Sequence, residues 1–354
     1  MKKALALVLI FALSLGAMSV FTACGKDNAG EPPVVDPNPE PEPEPEPRIP
    51  EDDPELPGAF LVMIDNMEDA RPQSGLDKAD VVFEIEAEGG ITRYMALFYN
   101  NAAEKVGPVR SARYYFAQLA KGLDGVYAHV GGSTDGYSTI KELKIKDIDG
   151  IKATSKQFWR SKDGRKAPHN CYTSTDILVE MAQDKSYELT PPKLPAYALT
   201  FEGEPLESGR VKLAYGKGKN GYTVEYVWEE GLGPDGGQYR RYMKGEPAYT
   251  LEGEPLVADT IFIMECTIKG RNTKPVTSSV DVIGSGQAVC VVENRVIKGT
   301  WNKESAEAPL VFKDEAGNEM CRKFGRTWVQ VVPSLDIVSY DDPNAANAAN
   351  TEAQ

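Results

Sequence analysis

The chain has 354 residues, of which 41% are hydrophobic and 26% charged, the proportions of a soluble globular protein with apolar material for one large domain or two ordinary ones. Its formal charge is −14, and half of that lies in residues 1–57, where four basic groups face eleven acidic ones. The acidity left to the folded body weighs against a phosphate-backbone binder, so nucleic acid is not an expected partner. Five cysteines with no CxxC spacing argue against a zinc site, and no Walker, GxGxxG, GxSxG or HExxH motif is present. No metal and no cofactor are expected.

Residues 1–23 read as a lipoprotein signal peptide: Lys2 and Lys3, an apolar run, then Thr22-Ala23 before Cys24. FTAC resembles a lipobox, with Phe21 where Leu is usual, and acyl chains on Cys24 would anchor the body to the outer face of the cytoplasmic membrane. Residues 24–57 are an acidic, proline-rich tether. Proline blocks helix and sheet there and the glutamates repel one another, so the segment favours polyproline II and gives a reach of up to ~100 Å. Residues 341–354 read as a disordered tail.

Residues 58–195 mix strand and helix signals. AFLVMID, VVFEIE and TRYMALFY read as strands, SARYYFAQLAKGL as a helix, VYAHV as a strand and GYSTIKELKI as a helix. DILVEMAQD reads as a third helix capped by Thr173 or Ser174. Residues 196–340 read as mostly β, with RVKLAY, GYTVEYVW, TIFIMECTI, VDVIGSG, QAVCVVE, RVIKGTW and RTWVQVV as strands. A hairpin is expected at Glu293-Asn294, a turn at Gly284-Ser-Gly286, and core positions at Trp228, Trp301 and Trp328. The fold class is therefore α+β: a mixed α/β N-terminal domain followed by a mostly β C-terminal one, with a boundary near Pro191–Pro195 unless the second half extends the first sheet. Cys171, Cys266, Cys290 and Cys321 are expected as free, mostly buried thiols, with Cys266 and Cys290 the one pair worth checking.

Polar residues gather at element ends in the first half. Asp65, Arg71, Glu88, Arg93, Arg110, Ser111, Arg113, His129 and His169 are the candidate ligand-binding residues, with Arg160 and Arg165 as possible additions. Arg110, Ser111 and Arg113 are expected in the first turn of the long helix, where open amides and the dipole favour an anion. The competing expectation is that these arginines pair with Asp65, Glu84, Glu86 and Glu88 to orient loops. No catalytic residue is assigned.

MIDNMEDARPQSGLDKADVVFE, EGGITRYMALF, GPVRSARYYF and APHNCYTS, followed by VIGSG, KGTWNK and GRTWVQVVP, resemble the YerB-like lipoproteins of Gram-positive bacteria over nearly the whole mature body. The resemblance implies two domains of unknown function, export and lipidation, and adds weight to the clustered loop residues. The expected function is a cell-envelope binding module with an anion-accepting pocket, its partner a wall polymer or envelope protein. The alternatives are an envelope phosphate- or glycan-processing enzyme, which would need an apolar groove beside Arg110 and Arg113 and a divalent metal on carboxylates such as Asp65, and a structural scaffold for a protein partner.

Overall fold

The computed structural model describes residues 54–206, 209–215, 221–233, 236–273 and 277–340. The signal peptide, Cys24, most of the tether and the tail after Tyr340 lie outside the described residues. Strands of three residues or more are β1 (Phe60–Asp65), β2 (Val81–Glu88), β3 (Ile91–Phe98), β4 (Val126–His129), β5 (Asp147–Asp149), β6 (Arg210–Tyr215), β7 (Tyr222–Glu230) and β8 (Gly237–Met243). They continue with β9 (Thr260–Glu265), β10 (Ile268–Gly270), β11 (Ser278–Val280), β12 (Gly284–Val292), β13 (Arg295–Lys303), β14 (Val311–Asp314), β15 (Thr327–Val332) and β16 (Val338–Tyr340). The helices are α1 (Tyr114–Leu123), α2 (Thr134–Glu142) and α3 (Thr175–Asp184).

The fold is α+β, with all three helices in the first half and a mostly β second half. Strands of both halves share one mixed sheet, ordered β14-β13-β12-β9-β15-β2-β3-β1-β4-β5, with Glu204–Pro205 pairing beside β13. Its joint is β15, which runs parallel to β9 on one side and to β2 on the other. A second sheet, β8-β7-β6-β16 with two short flanking strands, packs its tyrosines and valines into the same core as Phe60, Val62 and Ile64. Leu61 and Met63 point the other way, onto Tyr115, Phe116 and Leu119 of α1. Both faces of β1 are thus covered, which is why its sequence is an unbroken apolar run instead of an alternating one.

Local expectations fail where a neighbour has claimed the backbone. Helix α2 stops at Glu142, three residues short of the expected end at Ile145, because Lys144 turns left-handed at φ 49° and Ile145 caps back onto Ile140. Gly284-Ser-Gly286 is the start of β12, paired with Lys303, Asn302 and Trp301 of β13, and not a turn. Glu293 and Asn294 form the expected hairpin with φ 46° and 56°. Ser174, not Thr173, caps α3 by accepting from Ile177 N. The four described cysteines are free thiols, three of them buried.

One buried amine gives a pH-dependent prediction. Lys303 is 1% exposed and donates to Ala306 O (2.9 Å) and Ala308 O (2.5 Å) beside Gly122 near the end of α1, a spot where any side chain on residue 122 would collide with the amine. Burial pushes its pKa down to about 8. The unfolded chain then holds more protons between about pH 8 and the free-lysine value, so stability rises with pH across that window. Relative to Lys303→Met, the wild-type protein should gain on the order of 1–3 kcal/mol between pH 7 and 9.5 in urea unfolding. A difference that is flat with pH would remove Lys303 as the titrating group.

Candidate functional site

The loops at the carboxyl end of β1 and β4 bring most of the candidate residues together. β1 ends on Asp65, opposite Arg93 of β3, and β2 ends on Glu88 before the left-handed Gly89-Gly90 turn. The 107–113 segment crosses these ends as extended chain. Arg110 N donates to Met63 O (2.9 Å), Arg110 O accepts from Val130 N (3.0 Å) and Ala112 N donates to Gly131 O (2.9 Å). Helix α1 begins only at Tyr114, with Arg113 at the N-cap, so Arg110, Ser111 and Arg113 are not first-turn residues. Neighbouring backbone takes the amides of Arg110 and Ala112, so these two donors are not open to an anion.

Those side chains form a compact basin of charge. Arg110 Nε lies 3.1 Å from Asp65 Oδ2, and His169 Nδ1 lies 2.7 Å from the same oxygen. A carboxylate oxygen can only accept, so the imidazole donates from Nδ1 and its Nε2 is left to other partners. Arg93 donates from Nη2 to Glu88 Oε1 (3.1 Å) and from Nη1 to Ser111 O (2.9 Å), while Arg113 pairs with the same Glu88 oxygen. Burial pushes the Glu88 carboxyl up, but Arg93, Arg113 and Arg110 together hold it below the usual carboxylate range. Burial also lowers Arg110 and Arg113 from the ordinary guanidinium value. Three guanidiniums share two carboxylates, and the Nε of Arg113 is buried without a hydrogen-bond acceptor.

The space between Asp65, Glu88 and Arg93 is about 10 Å³, room for a water and no more. Glu88 occupies the acceptor position between Arg93 and Arg113. Arg113 also borders a wide groove of about 790 Å³ between α2 and the β10–β11 hairpin, and its ion pair with Glu88 links the basin to that groove.

Two candidates fall outside the basin. Arg71 donates to the Asn66 carbonyl (2.7 Å) and side-chain oxygen (3.0 Å) and lies over the Tyr222 ring, lining a separate depression with Met243 and Leu256. His129 is fully buried; its Nδ1 donates to Gly131 O (2.8 Å), and Asp147 and Asp149 stand 3.7 and 3.8 Å from the ring. There it holds the turn at Gly131 (φ 73°), out of reach of a ligand. Arg160 and Arg165 brace their own loop through Asn170 Oδ1, Ala70 O and the Tyr172 hydroxyl. Asp65 is engaged by two donors, which makes it a poor metal ligand, and among the described residues no cluster of His, Cys, Asp and Glu is placed to hold one.

A second polar cluster lies deeper, between the two sheets. Glu84 and Arg241 are both fully buried, with Arg241 Nη2 2.7 Å from Glu84 Oε2. The Tyr222 hydroxyl donates to Glu84 Oε1, Thr92 Oγ1 does so at 2.8 Å, Arg241 donates to the Tyr226 and Tyr94 hydroxyls, and its guanidinium stacks 4.1 Å above Trp328. Asn66 Nδ2 donates to Thr92 Oγ1 (2.8 Å), and Asn66 Oδ1 accepts from Arg71 and Gln73. The buried pair therefore supports the loop that follows Asp65. Sequence reasoning named Glu84 only as a possible loop partner and missed Arg241, whose inward placement shows as the alternation Tyr239, Arg241, Met243 along β8.

With this geometry in place, comparison with known proteins decides the family. Residues 48–188 match the N-terminal domain, and residues 211–329 the C-terminal domain, of the family described as protein of unknown function (DUF3048). The chain belongs to the DUF3048 family. It is 34% identical over 285 residues, 78% of this chain and 82% of the relative, to the Bacillus subtilis (strain 168) protein named "Putative lipoprotein YerB". The crystal structure of YerB protein from Bacillus subtilis superposes with a TM-score of 0.72 at 31% identity, covering 80% of this chain and 94% of that one. The YerB resemblance carried by the sequence motifs is thus borne out, as is the α+β class. Among DUF3048 members the shared description assigns no chemistry, so the basin has to be read from its own geometry.

Proposed function

We propose that this DUF3048 chain is a lipoprotein held on the extracellular face of the cytoplasmic membrane by lipid on Cys24, and that its body is a cell-envelope binding module whose basin accepts an anionic group. The name of the Bacillus subtilis relative supports the anchoring. One observation carries the binding reading: Arg93, Arg110 and Arg113 converge on two carboxylates, one positive charge in excess, at the border of an open groove. Guanidinium forks match phosphate and carboxylate geometry, and partial burial strengthens the contact. The mildly acidic remainder of the body favours capture of a localised anion over a general polyanion.

The test is a titration of the body from residue 54 onward with inorganic pyrophosphate, followed by nuclear magnetic resonance of backbone amides and arginine Nε–H groups. Shifts are expected at Glu88, Arg93, Arg110–Arg113 and Gly131. Shifts confined to other surfaces, or none at millimolar pyrophosphate, would return the arginines to loop bracing.

The Asp65–His169 contact supports a second reading, an envelope phosphate-processing enzyme. A buried carboxylate that orients Nδ1 leaves Nε2 placed for proton transfer next to the basin. The groove beside Arg113 is lined by hydroxyl-bearing and charged side chains, with no aliphatic wall for a lipid tail among the described residues, so binding without turnover is the better-supported reading.

A further inference from the structure

The groove bordered by Arg113 has a chemistry of its own. Its α2 wall presents Thr134, Ser138 and Thr139, its far wall presents Thr277, and its floor is Tyr114 with Arg271. Tyr114 is fixed at both ends of its hydroxyl, which donates to Val280 O (3.0 Å) and accepts from Val280 N (2.8 Å). Arg271 stacks 5.0 Å over that ring and pairs with Asp135 at the start of α2, so the floor is rigid before any ligand arrives. Among the described residues the charged lining is balanced, Arg113 and Arg271 against Asp135 and Glu142, and Tyr114 is the one aromatic or aliphatic side chain. A volume near 790 Å³ falls in the range of small-ligand sites, about 300–1,000 Å³.

These features select among ligand classes. A peptide would need aliphatic side-chain pockets or an open strand edge, and a nucleic acid would need stacking faces with a basic excess; the described lining supplies neither. Rows of hydroxyls with charged donors and acceptors at intervals match a polyhydroxylated chain, whose own hydroxyls exchange hydrogen bonds with serine and threonine. At one end, Arg113 leads directly to the basin's unbalanced positive charge. We propose that the groove and the basin form one composite site for a polyol-phosphate chain, with the polyol lying along α2 and one phosphate displacing Glu88 from Arg113 and Arg93. This rests on the anion reading of the basin and adds the ligand class and its direction.

Ser138 and Thr134 are exposed on α2, so Ser138→Trp and, as a second variant, Thr134→Glu alter the groove with the core intact. The probes are a synthetic glycerol-phosphate hexamer and inorganic pyrophosphate, titrated calorimetrically into the body from residue 54 onward. The hexamer is expected to bind at least fivefold tighter than pyrophosphate, and each variant to erase that margin with pyrophosphate affinity unchanged. A hexamer no tighter than pyrophosphate, or one indifferent to both variants, overturns the composite site while leaving the anion basin standing. Hexamer binding that is sensitive to the variants, with no pyrophosphate binding at all, would instead keep the groove and overturn the basin reading.

Discussion

Arg241→Met should destabilise the protein by about 3–5 kcal/mol, because it strands the Glu84 carboxylate in a site with no access to water. The local dielectric is low and every neighbour of Glu84 already has a role: Tyr222, Thr92 and Asn66 donate to one oxygen, which leaves Arg241 as the counter-charge on the other. Burial opposes charge on Arg241, but Tyr226 and Glu84 outweigh it, and its pKa stands above the ordinary guanidinium value. Glu84→Gln should cost a comparable amount by stranding the guanidinium. The double variant should cost clearly less than the two singles together, since replacing both charges removes the desolvation penalty that each single exposes. Urea unfolding followed by fluorescence reads this directly, because Trp328 lies 4.1 Å from the guanidinium. Strict additivity would show that the two groups do not act as a pair. Because Asn66 joins this cluster to the loop after Asp65, Arg241→Met should also blunt ligand binding at a site it never touches.

The second large effect concerns Glu88, which acts as the basin's internal anion. Glu88→Gln keeps the shape, removes one negative charge from between Arg93 and Arg113, and should tighten pyrophosphate binding about tenfold, roughly 1.4 kcal/mol. The same change should cost about 1–3 kcal/mol of stability without ligand, since two largely buried guanidiniums lose their shared counter-charge and keep only a neutral amide oxygen as acceptor. In the wild-type protein the Glu88 carboxyl is held below its usual range, so its stabilising contribution is present above the unfolded carboxyl value and is lost as pH falls through the folded one. Opposite movement of affinity and stability is the signature of a competing internal ligand. A purely structural Glu88 would change stability and leave binding alone.

The sequence made these features legible to different depths, for physical reasons. FLVMID and VVFEIE read as strands because a sheet covered on both faces needs continuous apolar runs. The basin was visible because its members sit at element ends, where loops of one sheet edge converge. The start of α1 was misplaced because GPVRSARYY has the composition of a helix N-terminus, while Met63, Val130 and Gly131 take the backbone groups of 110–112. The 790 Å³ groove joins α2 to a hairpin more than 130 residues away, a proximity no local pattern encodes. Glu84 and Arg241 are 157 residues apart, and Arg240-Arg241 hid the inward alternation of β8 behind two adjacent charges. The joining of both halves in one sheet was legible only as an alternative to a domain boundary, since RTWVQVV reads the same whether its neighbours are β9 alone or β9 and β2.

The central claim is that Arg110 and Arg113 hold an anion. Its most direct test is calorimetric titration of pyrophosphate into the body from residue 54 onward and into its Arg110→Ala/Arg113→Ala variant, at low and physiological salt. Binding to the wild-type protein should weaken with salt and fall at least tenfold in the variant. Equal affinity in the two proteins, with the variant still folded, would contradict it.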